Sequence, residues 1–244
     1  MVNFWFKKKK IVLDCFTDVA AVHKLFPVDR ARKFIPDWWK QIPLTHQGQR
    51  PMSQTLSIEE PSIRMCPAIN EHFMNGVIMP AFAELIIQRD AQTGKAECMA
   101  AAATWGEPVQ HNPKDMENKK DLLHWKFSTP WLFRESTGIK WHWVQPAWHQ
   151  RDPLNHWMVP GFIEFKHQHT VQINMMIPRG KRIHFNAGDP VIQMIPLTDN
   201  QNQVEVKNHL VDASEMEKLA TYKPYFVNSY MKLRKRTTDM EKGK

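Results

Sequence analysis

The stretch GFIEFKHQHTVQINMMI, residues 161–177, gives the clearest structural signal in the sequence. One set of its alternate positions is mainly apolar and includes two histidines: Ile163, Phe165, His167, His169, Val171, Ile173 and Met175. The other set is polar: Glu164, Lys166, Gln168, Thr170, Gln172 and Asn174. A period of two predicts one half-buried antiparallel strand, and it places both histidines on the buried face.

Further strand-like blocks lie on both sides of this stretch and are separated by turn residues. They are Ile11–Phe16, Val77–Arg89, Glu97–Trp105, His124–Phe127, Ile139–Val144, Arg182–Phe185, Val191–Leu197 and Val204–Leu210. Prolines outnumber glycines by 17 to 9, which favours short strands joined by rigid turns over long helices. The pattern therefore predicts a mainly β fold, a distorted β-barrel or jelly roll, for residues 1–211.

Helices are predicted near the N-terminus and at the C-terminal end of this fold. The N-terminal helical segments are Val28–Phe34, Asp37–Lys40 and Pro67–Asn75. The last of these has a proline in its first turn and Gly76 just past its end, which is typical helix punctuation. The polar segment Thr45–Gln54 predicts a loop. Asp212 can cap a helix, so residues 212–244 are predicted to form a basic C-terminal helix or tail.

The composition is that of a globular protein, with 42% hydrophobic, 24% charged and 11% aromatic residues. The formal net charge is +8, and much of the excess lies at the two ends of the chain. The C-terminal cluster includes Lys232, Arg234, Lys235 and Arg236. A basic terminus of this kind can bind an acidic protein or a nucleic acid, or it can simply be solvated, and both interpretations stay open.

The cysteines and the hydropathy pattern indicate the compartment. Cys15, Cys66 and Cys98 are widely spaced and lie outside any Cys-x-x-Cys motif, which indicates a reducing compartment and no disulfide framework. No apolar run is long enough to span a bilayer. Asp14 and Asp18 interrupt the apolar stretch that follows the N-terminal lysines. We therefore expect neither secretion nor a membrane partner.

His167 and His169 are the sharpest metal-ligand candidates in the sequence. Two residues apart on a strand, both imidazoles would project from one face, as a chelating pair requires. Their spacing, Gly-x5-His-x-His, resembles the opening of the first cupin motif, although Ile173 and Asn174 stand where that motif has a glutamate. With His184 from another strand, the pair would suit Fe, Mn or Zn in oxygenase or isomerase chemistry. The alternative is a pair of core histidines hydrogen-bonded to their neighbours.

Residues 125–157 are dense in aromatic side chains. Trp141 and Trp143, with the cations Arg134, Lys140 and Arg151 nearby in the sequence, could stack on bases or sugars. The alternative is that these rings fill a core or a subunit interface. The sequence has no Gly-x-Ser-x-Gly elbow, no Walker loop and no dinucleotide-binding glycine fingerprint.

Four motifs occur in an order that resembles a known group of proteins. They are Cys66-Pro67 with Phe73 and Gly76-Val77-Ile78; Ser128-Thr129-Pro130-Trp131; Pro160-Gly161-Phe162-Ile163; and Gly188-Asp189-Pro190-Val191-Ile192-Gln193-Met194-Ile195-Pro196. Over residues 10–200 this order resembles a family of uncharacterised proteins common in tailed phages of marine bacteria and cyanobacteria. The resemblance implies a phage protein that resides in the host cytoplasm during infection or in the virion.

Residues 160–196 are also similar to the central motifs of the dUTPase and dCTP-deaminase β-barrel. Its two strand motifs correspond to Gly161-Phe162-Ile163-Glu164 and Gly188-Asp189-Pro190-Val191-Ile192-Gln193, and its phosphate-contacting turn to Ser136-Thr137-Gly138. The resemblance implies that Glu164 stands in the place of the aspartate that orients the attacking water. Glutamate is one methylene longer, and no glycine-rich C-terminal motif follows, so the resemblance implies the barrel rather than an active triphosphatase.

Three functions follow from these patterns. The leading hypothesis is a non-catalytic structural or binding protein that self-associates as a homo-oligomer or engages an acidic partner, and it requires no cofactor. One alternative is a cupin-like enzyme that depends on a divalent metal. The other is a nucleotide-binding or dUTPase-like hydrolase with Glu164 as its base.

Overall fold

The structure is a computed structural model of the chain, and it describes residues 10–48, 58–100, 107–108, 121–166, 169–198 and 204–220. The fold is mainly β, which confirms the prediction at that level. The strands are β1 (Ile11–Thr17), β2 (Asp29–Arg30), β3 (Thr45–Gly48), β4 (Ile58–Pro61), β5 (Val77–Pro80), β6 (Leu85–Arg89), β7 (Ala96–Ala100), β8 (Glu107–Pro108), β9 (Leu122–Arg134), β10 (Trp141–Val144), β11 (Trp157–Met158), β12 (Gly161–Ile163), β13 (Thr170–Pro178), β14 (Arg182–Phe185), β15 (Pro190–Pro196) and β16 (Val204–Leu210).

Short helices decorate these strands. They are α1 (Ala20–Leu25), α2 (Asp37–Gln41), α3 (Pro67–Met74) and α4 (Ala213–Leu219), with 3₁₀ turns at Ala31–Phe34 and Ile63–Met65. Asp212 caps α4 as predicted, since its Oδ1 accepts a hydrogen bond of 2.8 Å from the backbone N–H of Glu215. In the described residues, no helix has both the length and the apolar character that crossing a membrane requires.

Four sheets form within the described part of the chain. The first has the strand order β11-β13-β9-β1-β16, with β8 also paired to β9, and the second has the order β12-β10-β15-β5-β2. A third sheet has the order β14-β6-β7, and β3 pairs with β4. Among the pairings given by the described residues, only β1 with β16 is parallel. None of these sheets closes on itself within the described residues, so the finer expectation of a distorted β-barrel or jelly roll stays a prediction.

The first and second sheets share one hydrophobic core. Leu13 on β1 and Phe133 on β9 belong to the same buried cluster as Met79 on β5 and Trp141 on β10. The alternation along β13 follows the prediction: Val171, Ile173, Met175 and Ile177 are buried, whereas Gln172 between them is exposed. Burial of one face of each sheet is the main stabilising contribution in such an arrangement.

The stretch 161–177 is not the single strand that its period predicts. β12 pairs with β10 in the second sheet, and β13 pairs with β9 in the first, so the intervening residues connect the two sheets. The physical reason lies in Glu164 and Phe165, which are consecutive and both buried, at 8% and 0% exposure. Two neighbours on one strand face opposite sides, so the chain must turn here. The Phe165 ring then packs 5.2 Å from Phe133 and 5.7 Å from Trp141.

Two other predictions need correction in the N-terminal part. The first four residues of the predicted loop Thr45–Gln54 form β3, which pairs with β4, and residues 49–54 lie outside the described residues. The predicted helix Val28–Phe34 is instead the short strand β2 followed by a 3₁₀ turn, and β2 adds to the edge of the second sheet beside β5. In both cases pairing with another strand decides the conformation. For Val28–Phe34 this pairing prevails because local helix propensity is only a weak preference.

A substitution at Gly76 tests whether the junction between α3 and β5 requires a glycine. Its φ is +72°, and a Cβ added there would lie 2.1 Å from the carbonyl oxygen of Met194 on β15. We expect Gly76→Ala to lower the free energy of unfolding by about 3 kcal/mol or more, measured by urea denaturation. Gly161→Ala is the matched control, since a Cβ there meets nothing within 4 Å, and we expect a change within about 1 kcal/mol. Equal losses in the two variants would contradict this account of the junction.

Candidate functional site

A cleft of about 460 Å³ opens where β9 and β13 of the first sheet meet β12 of the second. We call it the amide cleft. Its polar wall is made of hydroxyl and carboxamide side chains: Ser128, Thr129, Thr170, Gln172 and Asn174. Its aromatic wall is made of Trp131, Trp143 and Phe162. The volume lies within the range typical of small-molecule binding sites.

An irregularity in β9 shapes this cleft. In the ladder between β9 and β13, Thr170 pairs with Leu132 but Gln172 pairs with Ser128, so three residues of β9 face one residue of β13. The extra residues surround Pro130, which has no N–H to give to a ladder and therefore favours such an interruption. The Thr129 hydroxyl donates a hydrogen bond of 3.0 Å to the Trp131 carbonyl inside this bulge. The bulge redirects side chains of β9 toward the cleft.

The polar wall of the amide cleft is held in a defined orientation. The Nε2 atom of His124 lies 2.8 Å from Oδ1 of Asn174, and Nδ2 of Asn174 donates to the Gln172 carbonyl at 3.4 Å. The Gln172 side chain is exposed. The described residues that line the cleft include no Asp, Glu, Lys, Arg or His. The cleft therefore offers neutral hydrogen-bonding groups and rings rather than fixed charges.

The rings of the aromatic wall differ in accessibility. Trp131 and Trp143 are 1% and 5% exposed, so they form the deep part of the wall. Phe162 is 64% exposed and lies at the rim, where its ring stacks on His142 with a centroid distance of 4.7 Å. A ligand in the cleft would meet the exposed Phe162 ring and only small parts of the two buried indole rings.

A second cleft, of about 500 Å³, contains two buried histidines. His149 and His156 are each 6% exposed. The pKa of both is lowered to about 4, mainly by burial. For His149 the neighbouring His72 also contributes to this lowering, and a backbone interaction with Ala31 opposes it. The ring of His149 lies 4.7 Å from that of Phe73. Both imidazoles are therefore neutral at pH 7 and act as aromatic packing groups.

The metal-ligand candidates of the sequence have separate partners. His169 Nδ1 lies 2.7 Å from the Leu219 carbonyl at the end of α4, whereas His184 Nε2 lies 2.8 Å from Glu84 Oε1 beside the third sheet. His167 lies outside the described residues. Across the residues that the structure describes, no three His, Cys, Asp or Glu side chains are grouped to hold a metal ion. The described members of the proposed set engage other groups instead.

The turn predicted to contact phosphate is bound by a side chain of the protein itself. The carboxylate of Glu135 accepts hydrogen bonds from the backbone N–H groups of Thr137 and Gly138, at 2.5 and 3.0 Å. Glu135 is 1% exposed, so this internal anion occupies the place where the dUTPase resemblance expects a phosphate. These two N–H groups already bind an internal carboxylate, and the phosphate-contacting role that the resemblance implies stays a prediction. Glu164, the implied base, is 8% exposed and follows β12 directly.

Two of the aromatic and basic candidates, Trp141 and Arg134, contact aromatic rings of the protein itself. Trp141 is fully buried against Phe165, so its ring does not present a surface for stacking on a ligand, and only Trp143 of this pair lines the amide cleft. The guanidinium of Arg134 lies 4.8 Å from the centre of the Phe16 ring. The basic candidates Lys232, Arg234, Lys235 and Arg236 lie outside the described residues.

The polar wall of the amide cleft was not among the sequence candidates. Hydroxyl and amide residues are common on strands, so nothing in their type distinguishes the five that meet here. The signal that could have located the cleft is Pro130 inside a long strand pattern, since proline in a paired strand indicates a bulge. Comparisons with protein-family models, with curated proteins and with solved structures find no match.

Proposed function

We propose that this protein is a non-catalytic binding protein whose ligand occupies the amide cleft. The observation that carries the proposal is the composition of the cleft wall, which combines five hydroxyl and amide side chains with three aromatic rings. Sites that bind small molecules typically have this combination of apolar surface and a few polar groups that fix orientation. The walls lie mainly on β9, β12 and β13, so paired strands hold the polar groups in place.

The chemistry of this wall favours binding over turnover. General acid–base catalysis needs a titratable side chain within hydrogen-bond reach of the reacting atom. Hydroxyl and carboxamide groups both donate and accept hydrogen bonds, but they do not become ionised near pH 7. A ligand held by Gln172 and Asn174 would therefore be oriented and released unchanged.

Screening with neutral fragments tests this proposal. We expect fragments found by NMR to shift the side-chain amide signals of Gln172 and Asn174, and to be recovered chemically unchanged after long incubation with the protein. Fragments that bind only in the histidine-containing cleft would contradict the assignment of the binding site to the amide cleft. Conversion of a cleft-bound fragment to a product would contradict the non-catalytic role.

The biological setting is part of the same proposal. The resemblance to phage proteins supports a protein of the host cytoplasm during infection, or of the virion. A homo-oligomer, and an acidic protein or nucleic acid bound by Lys232, Arg234, Lys235 and Arg236, would suit that setting. A jelly-roll or dUTPase-like variant of the mainly β fold is the finer assignment that goes with it.

A further inference from the structure

We infer that the ligand of the amide cleft is a neutral carbohydrate. The inference rests on the proposed binding function and narrows it to one chemical class. Three properties of the cleft support it: the neutral wall, the kind of hydrogen-bonding group and the single exposed ring.

The neutral wall selects against charged ligands. No cationic side chain stands among the described residues of the cleft to pair with a phosphate or carboxylate, and no anionic one to pair with an ammonium group. A charged group that enters the cleft loses solvation free energy, and no opposite charge among the described lining residues helps to restore it. Nucleotides and sugar phosphates are therefore disfavoured, and a neutral ligand is favoured.

The hydrogen-bonding groups match those of a sugar. Each sugar hydroxyl can donate and accept a hydrogen bond, and the same is true of the hydroxyls of Ser128, Thr129 and Thr170. The carboxamides of Gln172 and Asn174 supply both roles from neighbouring positions on one face of β13. Hydroxyl and carboxamide groups that both donate and accept hydrogen bonds suit a ligand with many hydroxyl groups.

The ring arrangement favours a sugar over a nucleobase. Stacking of a flat base needs an open aromatic face. Trp131 and Trp143 are almost completely buried, and His142 covers one face of the Phe162 ring, so the wall does not offer two open ring faces between which a base could stack. The rim ring can still pack its exposed part against the C–H groups of a sugar, which need only apolar contact. Because glycoside hydrolysis requires a pair of carboxyl groups, which the described wall does not contain, the sugar would be held and not cleaved.

Titration with matched sugars tests the inference. The probes are glucose, galactose and N-acetylglucosamine, with glucose 6-phosphate, glucuronate and glucosamine as charged analogues and adenosine as the neutral nucleoside. We expect at least one neutral sugar to bind with a Kd of about 10 mM or tighter, and its charged analogue to bind at least about tenfold more weakly. Binding is followed by tryptophan fluorescence and by the side-chain amide signals.

Two variants locate the binding. Gln172→Ala removes an exposed carboxamide from the cleft and should weaken the binding of that sugar about tenfold, with thermal unfolding unchanged. Gln88→Ala removes an equally exposed carboxamide from β6 in the third sheet, and should leave the Kd unchanged. Tighter binding of adenosine or of a charged analogue would overturn the inference, and so would equal effects of the two variants or no binding of any neutral sugar.

The outcome also separates this inference from the proposed function. If fragments occupy the amide cleft and no neutral sugar binds, the carbohydrate class is wrong while the binding function stands. If fragments avoid the cleft as well, both are wrong.

Discussion

Replacing Arg89 with methionine should lower the free energy of unfolding by about 3 to 5 kcal/mol, more than any surface substitution in this protein. Arg89 is 5% exposed and its guanidinium donates to three backbone carbonyls. Nε donates to Gly94 at 3.0 Å, and Nη1 donates to Ile177 at 2.7 Å and to Asp121 at 2.5 Å. These carbonyls belong to the turn after β6, to β13 and to the residue before β9. Methionine fills similar space but leaves all three acceptors without this donor.

Arg179→Met is the matched control for this experiment. Arg179 is also an arginine near Asp121, but its side chain is 42% exposed and its Nε lies 3.3 Å from a carboxylate that is 85% exposed. Exposed ion pairs contribute little, so we expect a change within about 1 kcal/mol in the same urea titration. Similar losses of unfolding free energy in the two variants would show that the hydrogen bonds of Arg89 to the three backbone carbonyls contribute no more than an exposed ion pair.

Acidification from pH 6.5 to pH 4 should cost the folded state about 3 kcal/mol for each of His149 and His156. In the unfolded chain a histidine binds a proton near pH 6.5, whereas burial lowers the pKa of both folded imidazoles to about 4. The unfolded state therefore takes up more protons in this range. The stability that neutral His149 and His156 provide is complete above pH 6.5 and is lost as the pH falls toward 4.

Phenylalanine substitutions separate the effect of histidine protonation on the free energy of unfolding from the effect of carboxylate protonation. Phenylalanine keeps an aromatic ring beside Phe73 and Phe185, the ring neighbours of His149 and His156, but it does not titrate. In urea titrations at several pH values, His149→Phe should lose less free energy of unfolding on acidification than the unmodified protein does. The double variant with His156→Phe should lose less still. An unchanged slope in the double variant would mean that neither imidazole is kept neutral by burial.

Local features of the fold could be predicted because they depend on near neighbours in the sequence. The helix α3 ends before Gly76, where the chain needs a positive φ, and α4 begins after Asp212, whose side chain caps it. The hairpin of β6 and β7 follows from the turn residues between two strand patterns. Each of these is decided within a few residues.

The assembly of the sheets depends on pairing between strands that are far apart in the sequence. The periodicity of the sequence does not say which strands pair. A period of two indicates which residues are buried, but it does not say which strand lies alongside. The parallel pairing of β1 with β16 joins segments about two hundred residues apart, and the change of sheet between β12 and β13 occurs inside one continuous alternation. This is why the sequence predicts a mainly β fold but does not predict the order of the strands in the four sheets of the described residues.

The candidate site also contains features that the sequence predicts and features that it does not. Histidines and tryptophans were selected from the sequence because their chemistry is distinctive, and the structure places His169, His184 and Trp141 in contacts with other parts of the protein. The residues of the amide cleft have ordinary side chains, and they meet because the bulge around Pro130 in β9 lies beside β12 and β13. A site of this kind depends on geometry rather than on residue type.

A crystal structure with a neutral fragment bound is the most direct test of the binding role assigned to the amide cleft. The ligand density should lie between β9, β12 and β13, within hydrogen-bond distance of the Gln172 or Asn174 carboxamide and beside Phe162. Density confined to other surfaces of the protein, with an empty cleft between these strands, would contradict the account.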